Sequence, residues 1–331
     1  MYRYIRTSRV RFVDSLSDLK LSNPFVAICD KALPPFILDH FPQSIRLKGG
    51  EDLKSLTSIE DLATKVLSRC ADRSLTLVAV GGGSIGDAVG FLASILWRGV
   101  PLIHVPTTLL SMVDSAHGGK TAVNLSIAKN QLGTFYPAFE IWIVRSILER
   151  MPKELIEEGL TEIVKAALIG DVRLTKQFLK VGLHGVSLAS ALTSAISVKQ
   201  KVCEKDPFES KGIREILNFG HTLGHALEIT TKLPHGRSVA WGLACAILIS
   251  KRFGLQGSND LLQVIRTLLV NPKKWPLSKD LIRAMLKDKK RKKNTLRSVV
   301  LTAIGKPIVT DRVVPKDWVE ALLKVRKQLH V

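Results

Sequence analysis

Short β-branched runs alternate with longer helical patterns through the first half of the chain: FVAICD (25–30), LTLVAV (75–80), LIHVPT (102–107) and EIWIV (140–144). Apolar runs of this length, separated by helix-length stretches, read as strands buried on both faces. That is the signature of a parallel sheet of Rossmann type. Before the second run, SIEDLATKVLSRC has a helical period with acidic residues in its first turn, which completes a βαβ unit. From about Met151 the pattern changes to long helical stretches: PKELIEEGLTEIVKAALIG, LTKQFLKVGL, ASALTSAISVKQKVCEK and HTLGHALEITTK. Pro152 suits the first turn of the first of these and Gly170 its end. The pattern predicts an α/β Rossmann-like domain over residues 1–150 and a mostly α-helical domain over residues 151–331.

Composition narrows this picture. A chain of 331 residues has room for two domains, and 46% hydrophobic with 24% charged residues is a globular balance that excludes disordered and fibrous classes. Cys29, Cys70, Cys203 and Cys245 are scattered and form no CxxC pair, which argues against a disulfide framework and a cysteine zinc site. The start of the sequence lacks a signal-type apolar segment, and no run is long and apolar enough to span a bilayer, so a soluble cytoplasmic protein with no membrane partner is expected. The formal charge of +20 is unusual; it would attract nucleic acid, an anionic membrane surface or small polyanions such as phosphates. Its densest cluster, Lys287 to Lys293, reads equally as a nucleic-acid patch or as a solvated helix end.

Candidate chemistry sits at the turns between these elements. The strand LTLVAV runs into Gly81-Gly82-Gly83-Ser84-Ile85-Gly86-Asp87 and then into the helical pattern AVGFLASIL. Glycines there let the backbone approach a pyrophosphate, and the helix N-terminus offers free N–H groups and a positive dipole end. The spacing is GGGxxGD rather than GxGxxG, and a tight structural turn is the other reading. Further on, His221 and His225 lie at i and i+4 on one helical face, a spacing zinc sites use, and His235 offers a third imidazole from a loop. For each histidine alone, a structural hydrogen-bonding role stays open. Glu162 and Lys165 lie three apart on one helical face and by themselves read as a surface ion pair. Lys120 and the Lys129-Asn130 dipeptide carry no message singly.

Taken in order, GGGSIGD, RGVPLIHVPTTLLSMVDSAHGGKTAVN, AKNQLGTFYP, EEGLTEIVKAALI, GIREILNFGHTLGHALE, HG, and DKK with a downstream AIG closely resemble the 3-dehydroquinate synthase family and, more broadly, the sugar phosphate cyclases. The resemblance covers roughly residues 25 to 305. It implies a dehydroquinate synthase-like fold, a homodimer, tightly held NAD and one divalent metal, usually Zn2+, with Co2+ as a substitute. Glu162, His221 and His235 stand where the family holds its metal. Glu51, Lys54, Gly83, Ser84, Ile85, Gly86, Asp87, Thr107, Thr108, Lys120 and Lys129 stand where it contacts NAD. Asp114, Lys120, Asn130, Lys165, Lys199, Arg214, Asn218, His225, Lys289 and Lys290 fall where it binds substrate. Arg98 matches an arginine that reaches the phosphate of the neighbouring subunit's substrate.

The implied reaction converts 3-deoxy-D-arabino-heptulosonate 7-phosphate to 3-dehydroquinate and phosphate, a step of aromatic amino acid biosynthesis. It runs through transient oxidation by NAD, phosphate elimination, re-reduction and intramolecular aldol closure. Such a small, phosphorylated, anionic substrate fits the basic balance, because lysines and arginines must neutralise its phosphate and carboxylate. Nucleic acid is then not an expected partner. The main departure is Arg237: after the HG dipeptide the family usually has an acidic residue, and a cation there either repels the metal or faces a substrate anion. Another sugar phosphate cyclase and a metal-dependent polyol dehydrogenase of the same superfamily are the alternative readings.

Overall fold

The computed structural model describes residues 7–21, 24–287 and 296–329. The chain forms two compact units. One comprises Met1–Ile156 with Cys203–Phe208, and the other Glu157–Val202 with Glu209–Val331.

The first unit is built on strands β1 (Arg9–Val13), β2 (Phe25–Asp30), β3 (Ile45–Leu47), β4 (Thr76–Gly81), β5 (Leu102–Pro106) and β8 (Glu140–Val144). They form one sheet in the order β1-β8-β5-β4-β2-β3, with every neighbouring pair parallel. The four runs read from the sequence are the central strands. Their side chains are almost wholly buried, as a sheet covered on both faces requires. The two edge strands escaped the pattern for physical reasons. β3 has only three residues, and β1 alternates arginine with apolar positions, Arg11 Nε donating to the buried Glu140 carboxylate at 2.7 Å.

Between β3 and β4, helix α1 (Leu56–Leu67) turns Ile59, Leu62 and Val66 inward, and its N-cap Ser55 accepts from the Ser58 amide at 3.2 Å. Helix α2 (Gly83–Ile95) leaves the carboxyl end of β4 beside the point where strand order reverses, where open α/β sheets bind ligands. A hairpin of β6 (Lys120–Leu125) and β7 (Ala128–Phe135) packs against α2.

In the second unit, α3 (Lys153–Gly170) buries an unbroken run from Gly159 to Ile169. It is followed by α4 (Val172–Val181), whose N-cap Asp171 accepts from the Leu174 amide at 2.9 Å, and by α5 (Leu188–Lys205). Helices α6 (His221–Thr231) and α7 (His235–Ser250) form the centre, and nearly every residue of α7 is buried. Helices α8 (Ser258–Arg266), α9 (Ser278–Lys287) and α10 (Pro315–Leu329) surround them. The unit also carries an antiparallel hairpin of β9 (Ser298–Ala303) and β10 (Lys306–Thr310), tied to α7 where Leu301 N donates to Ser250 Oγ at 2.9 Å. The helical pattern of the sequence did not announce this hairpin.

Helices α6 and α7 approach at backbone distance. A Cβ on Gly242 would fall on the Gly220 carbonyl oxygen, one on Gly224 would lie 3.0 Å from Val239 Cα, and Gly220 itself needs its φ of +80°. The Gly242→Ala substitution should therefore force the helices apart and destabilise the fold by ~1–3 kcal/mol, as overpacking does. Thermal unfolding measures this, and a variant melting with the parent chain would show that the approach is not tight.

Candidate functional site

Three of the predicted residues converge inside the second unit. Glu162 comes from the middle of α3, His221 from the first turn of α6, and His235 from the first turn of α7. One ligand atom from each lies within 4.8 Å of the other two. Both imidazoles aim Nε2 at the same carboxylate oxygen, at 3.6 Å for His221 and 3.8 Å for His235. Each Nδ1 is held from behind, by the Phe219 carbonyl at 3.2 Å and by the Glu228 carboxylate at 3.0 Å respectively. A carboxylate with two imidazoles whose Nε2 atoms converge is a donor set for a borderline divalent cation. His225, one turn beyond His221, stacks its ring edge-on at 5.1 Å but is not one of the three converging ligands.

The i,i+3 pair of Glu162 and Lys165 is not on the surface. Their side chains are 1% and 4% exposed and ion-paired to one another, so an arrangement that reads as solvated in the sequence is a buried charge pair. The two imidazoles differ electrostatically. Burial first, and then the Lys165 charge, push the His221 pKa down to about 3, so its ring is neutral with a lone pair to give. For His235 burial also favours the neutral ring. Hydrogen bonds to Glu162 and Glu228 and their charges outweigh it and raise the value to about 10.

Arg237 does not face this centre as an uncompensated cation. Its guanidinium is ion-paired to Glu157 on α3 and donates to the Leu268 carbonyl at 3.2 Å. That partner lies 80 residues earlier in the chain.

In the first unit the glycine turn and its surroundings are laced together. Gly83, Ser84, Ile85, Gly86 and Asp87 form the first turn of α2, and Ser84 Oγ accepts from the Gly50 amide at 2.9 Å. A Cβ on Gly81 would meet Ile85 at 2.7 Å, and one on Gly83 would meet Ser115 Oγ at 3.1 Å. A side chain at position 81 would displace Ile85, and one at position 83 would press on Ser115. Lys54, 3% exposed, reaches Asp87 Oδ2 at 2.7 Å and Asn130 Oδ1 at 2.5 Å. Burial raises the Asp87 pKa, and the Lys54 charge opposes that rise. Glu51 accepts from Asn124 Nδ2 at 2.9 Å and stands 3.9 Å from Lys129 Nζ. Thr107 is buried, its amide on the Gly81 carbonyl at 3.0 Å, while Thr108 Oγ1 pairs with Ser111 Oγ at 2.8 Å.

The remaining predicted residues take varied positions. Asp114 sits in the π-helical turn Ser111–Ser115, Lys120 opens β6, and Asn130 occupies a left-handed position of the hairpin at φ +54°. Arg98 is exposed at φ +70°, directly after Trp97 at +47°. Two successive non-glycine residues in this region are costly to hold, so the direction of that segment is imposed by its surroundings. Lys199 is half-buried on α5. Arg214 is buried in the 3₁₀ turn Ile213–Asn218, and Asn218 is exposed at its end. Lys289 and Lys290 lie outside the described residues. Glu228 and Glu157 carried no assignment from the sequence. Glu228, seven residues after His221, shares its helical face, which was the available signal; Glu157 had none.

Known proteins share this fold. A crystal structure of 2-deoxy-scyllo-inosose synthase complexed with carbaglucose-6-phosphate, NAD+ and Co2+ superposes with a TM-score of 0.82, at 27% identity over 96% of each chain. The 2-epi-5-epi-valiolone synthase of Streptomyces hygroscopicus, solved with NAD+ and Zn2+, shares the fold with a TM-score of 0.85 at 22% identity, over 99% of each chain. The architecture is thus that of the sugar phosphate cyclases. Residues 44–158 match the profile of the 3-dehydroquinate synthase N-terminal region and residues 159–291 that of its C-terminal region. The 3-dehydroquinate synthase of Methylacidiphilum infernorum is 37% identical over 92% of this chain and 89% of its own length. The chain belongs to the 3-dehydroquinate synthase family.

The ion pair between Arg237 and Glu157 joins the helix that carries His235 to the one that carries Glu162. Arg237→Glu and Glu157→Arg should each destabilise the fold, and the double swap should recover stability. The expected coupling is ~0.5–3 kcal/mol, read from a double-mutant cycle in denaturant. Strict additivity would mean the two charges do not sense each other.

Proposed function

We propose that this chain is a 3-dehydroquinate synthase that converts 3-deoxy-D-arabino-heptulosonate 7-phosphate to 3-dehydroquinate and phosphate, with NAD and one divalent metal, zinc or cobalt. The observation that carries the reading is the converging donor set of Glu162, His221 and His235 in a chain of this family. The donor chemistry fits such an ion: one carboxylate and two imidazoles leave coordination positions open for substrate oxygens. When bound, NAD supplies reversible hydride transfer and the metal acidifies the hydroxyl to be oxidised. In enzyme-class terms this is a phosphate-eliminating lyase with no net oxidation, and it would work as a cytoplasmic homodimer.

The chain's own residues divide the work. Gly83 to Asp87 give the cofactor's phosphates a helix N-terminus whose first amides have no intrahelical partner, beside a glycine turn that leaves the backbone open to approach. Lys54 holds Asp87 and Asn130 in place, and Glu51, Thr107, Thr108, Lys120 and Lys129 line the same function. In the second unit Lys165 sets its charge directly beside the buried Glu162 carboxylate. His221, neutral at working pH, offers its lone pair without first losing a proton. Arg214, fixed in its 3₁₀ turn, grips the substrate carboxylate with a planar fork. Lys199, Asn218, Asp114, Asn130 and Lys120 bind the hydroxyls and phosphate, with Lys289 and Lys290 added by family position. His225 and Lys165 move protons near the departing phosphate, and Arg98 reaches the substrate phosphate of the other subunit.

The purified protein supplied with NAD and zinc should release phosphate from 3-deoxy-D-arabino-heptulosonate 7-phosphate with no net NADH. Within a panel of sugar phosphates, this carboxylate-bearing one should turn over fastest. Steady NADH accumulation, or preference for an uncharged sugar phosphate, would overturn the reading. Arg214→Lys, which loses the two-pronged grip, should raise KM by roughly 10-fold or more, taking 1.4 kcal/mol as tenfold.

A further inference from the structure

The two imidazoles of the candidate metal site are supported unequally. His221 is 11% exposed, begins a helix locked by glycine packing, and leans on a backbone carbonyl. His235 has a 30% exposed side chain and follows a three-residue link, Lys232 to Pro234, that begins in the left-handed region at φ +59°. Nothing in its own short turn fixes the ring. Instead its Nδ1 meets the carboxylate of Glu228 at 3.0 Å. Glu228 lies two turns along α6 from His221, so the helical face that presents one imidazole also presents the carboxylate behind the other.

We propose that Glu228 is a positioning residue that sets the tautomer and direction of His235 for metal binding. A carboxylate only accepts, so Nδ1 keeps its proton against Glu228, and Nε2, the atom that faces Glu162 Oε1 at 3.8 Å, is the nitrogen that would give up its proton and offer a lone pair to a metal. The same contact orients the ring and makes the imidazole a stronger donor, the effect of a carboxylate behind a metal-bound histidine. The role proposed for Glu228 is exerted through His235, whose Nδ1 it holds. The inference rests on the reading of Glu162, His221 and His235 as metal ligands.

The test uses the full chain and metal ions alone, without substrate. Zinc affinity is measured by chelator competition, and the visible spectrum is recorded with Co2+, for the parent, Glu228→Gln, Glu228→Ala and His235→Ala. Glu228→Ala should bind zinc about 10- to 100-fold more weakly and shift the Co2+ absorption bands. Glu228→Gln, which keeps an oxygen acceptor but no charge, should fall between it and the parent. In metal-free form both variants should melt like the metal-free parent, which separates positioning from folding. Parent-like zinc affinity together with a parent-like Co2+ spectrum in both Glu228 variants, while His235→Ala loses metal, would overturn the role of Glu228 and leave the ligand reading standing. Parent-like metal binding by His235→Ala would overturn the ligand reading and this inference with it.

Discussion

A carboxylate cannot be buried as an anion without nearby positive charge, and the second unit is organised around meeting that demand for Glu162. Its side chain is 1% exposed, inside the longest buried helical run of the chain. Lys165 supplies the compensating charge from the same helix, one turn away, so the pair is in place whenever α3 forms. The two imidazoles then complete a shell with one anion and two donors turned toward one point. Such a shell would offer a divalent cation one carboxylate and two imidazoles.

Bringing those groups together is a packing problem more than an electrostatic one. His221 and His235 sit at the starts of two helices whose backbones meet through Gly220, Gly224 and Gly242. Side chains larger than hydrogen at Gly220 and Gly242 would push the two helices apart. The ion pair between Arg237 and Glu157 then ties α7 to α3, so each ligand-bearing helix is held to another. The Arg237 cation that follows the HG dipeptide is therefore compensated within this chain by a carboxylate on α3.

In the first unit the same logic appears with a different currency. The glycine turn offers amides rather than side chains, and its shape is held by a buried lysine. Lys54 gathers Asp87 from α2 and Asn130 from the β6–β7 hairpin, two segments far apart in sequence. A lysine so enclosed acts as a hydrogen-bonded strut with two of its three donors fixed, and its burial is tolerable because Asp87 carries the opposite charge.

The sequence by itself determined the element types, the central strands and the glycine turn, because periodicity and turn chemistry are local properties. Residue order also made the family legible, and with it the candidate roles of Glu162, His221 and His235. It left the two edge strands and the β9–β10 hairpin unannounced, since a three-residue strand and an arginine-alternating one carry no distinctive pattern. The tertiary structure alone decided that Glu162 and Lys165 are buried rather than solvated, that Glu157 answers Arg237, and that Glu228 stands behind His235. Each of those outcomes depends on which helix faces come into contact, and burial and partnership across a fold are set by packing between segments that the local pattern describes only one at a time.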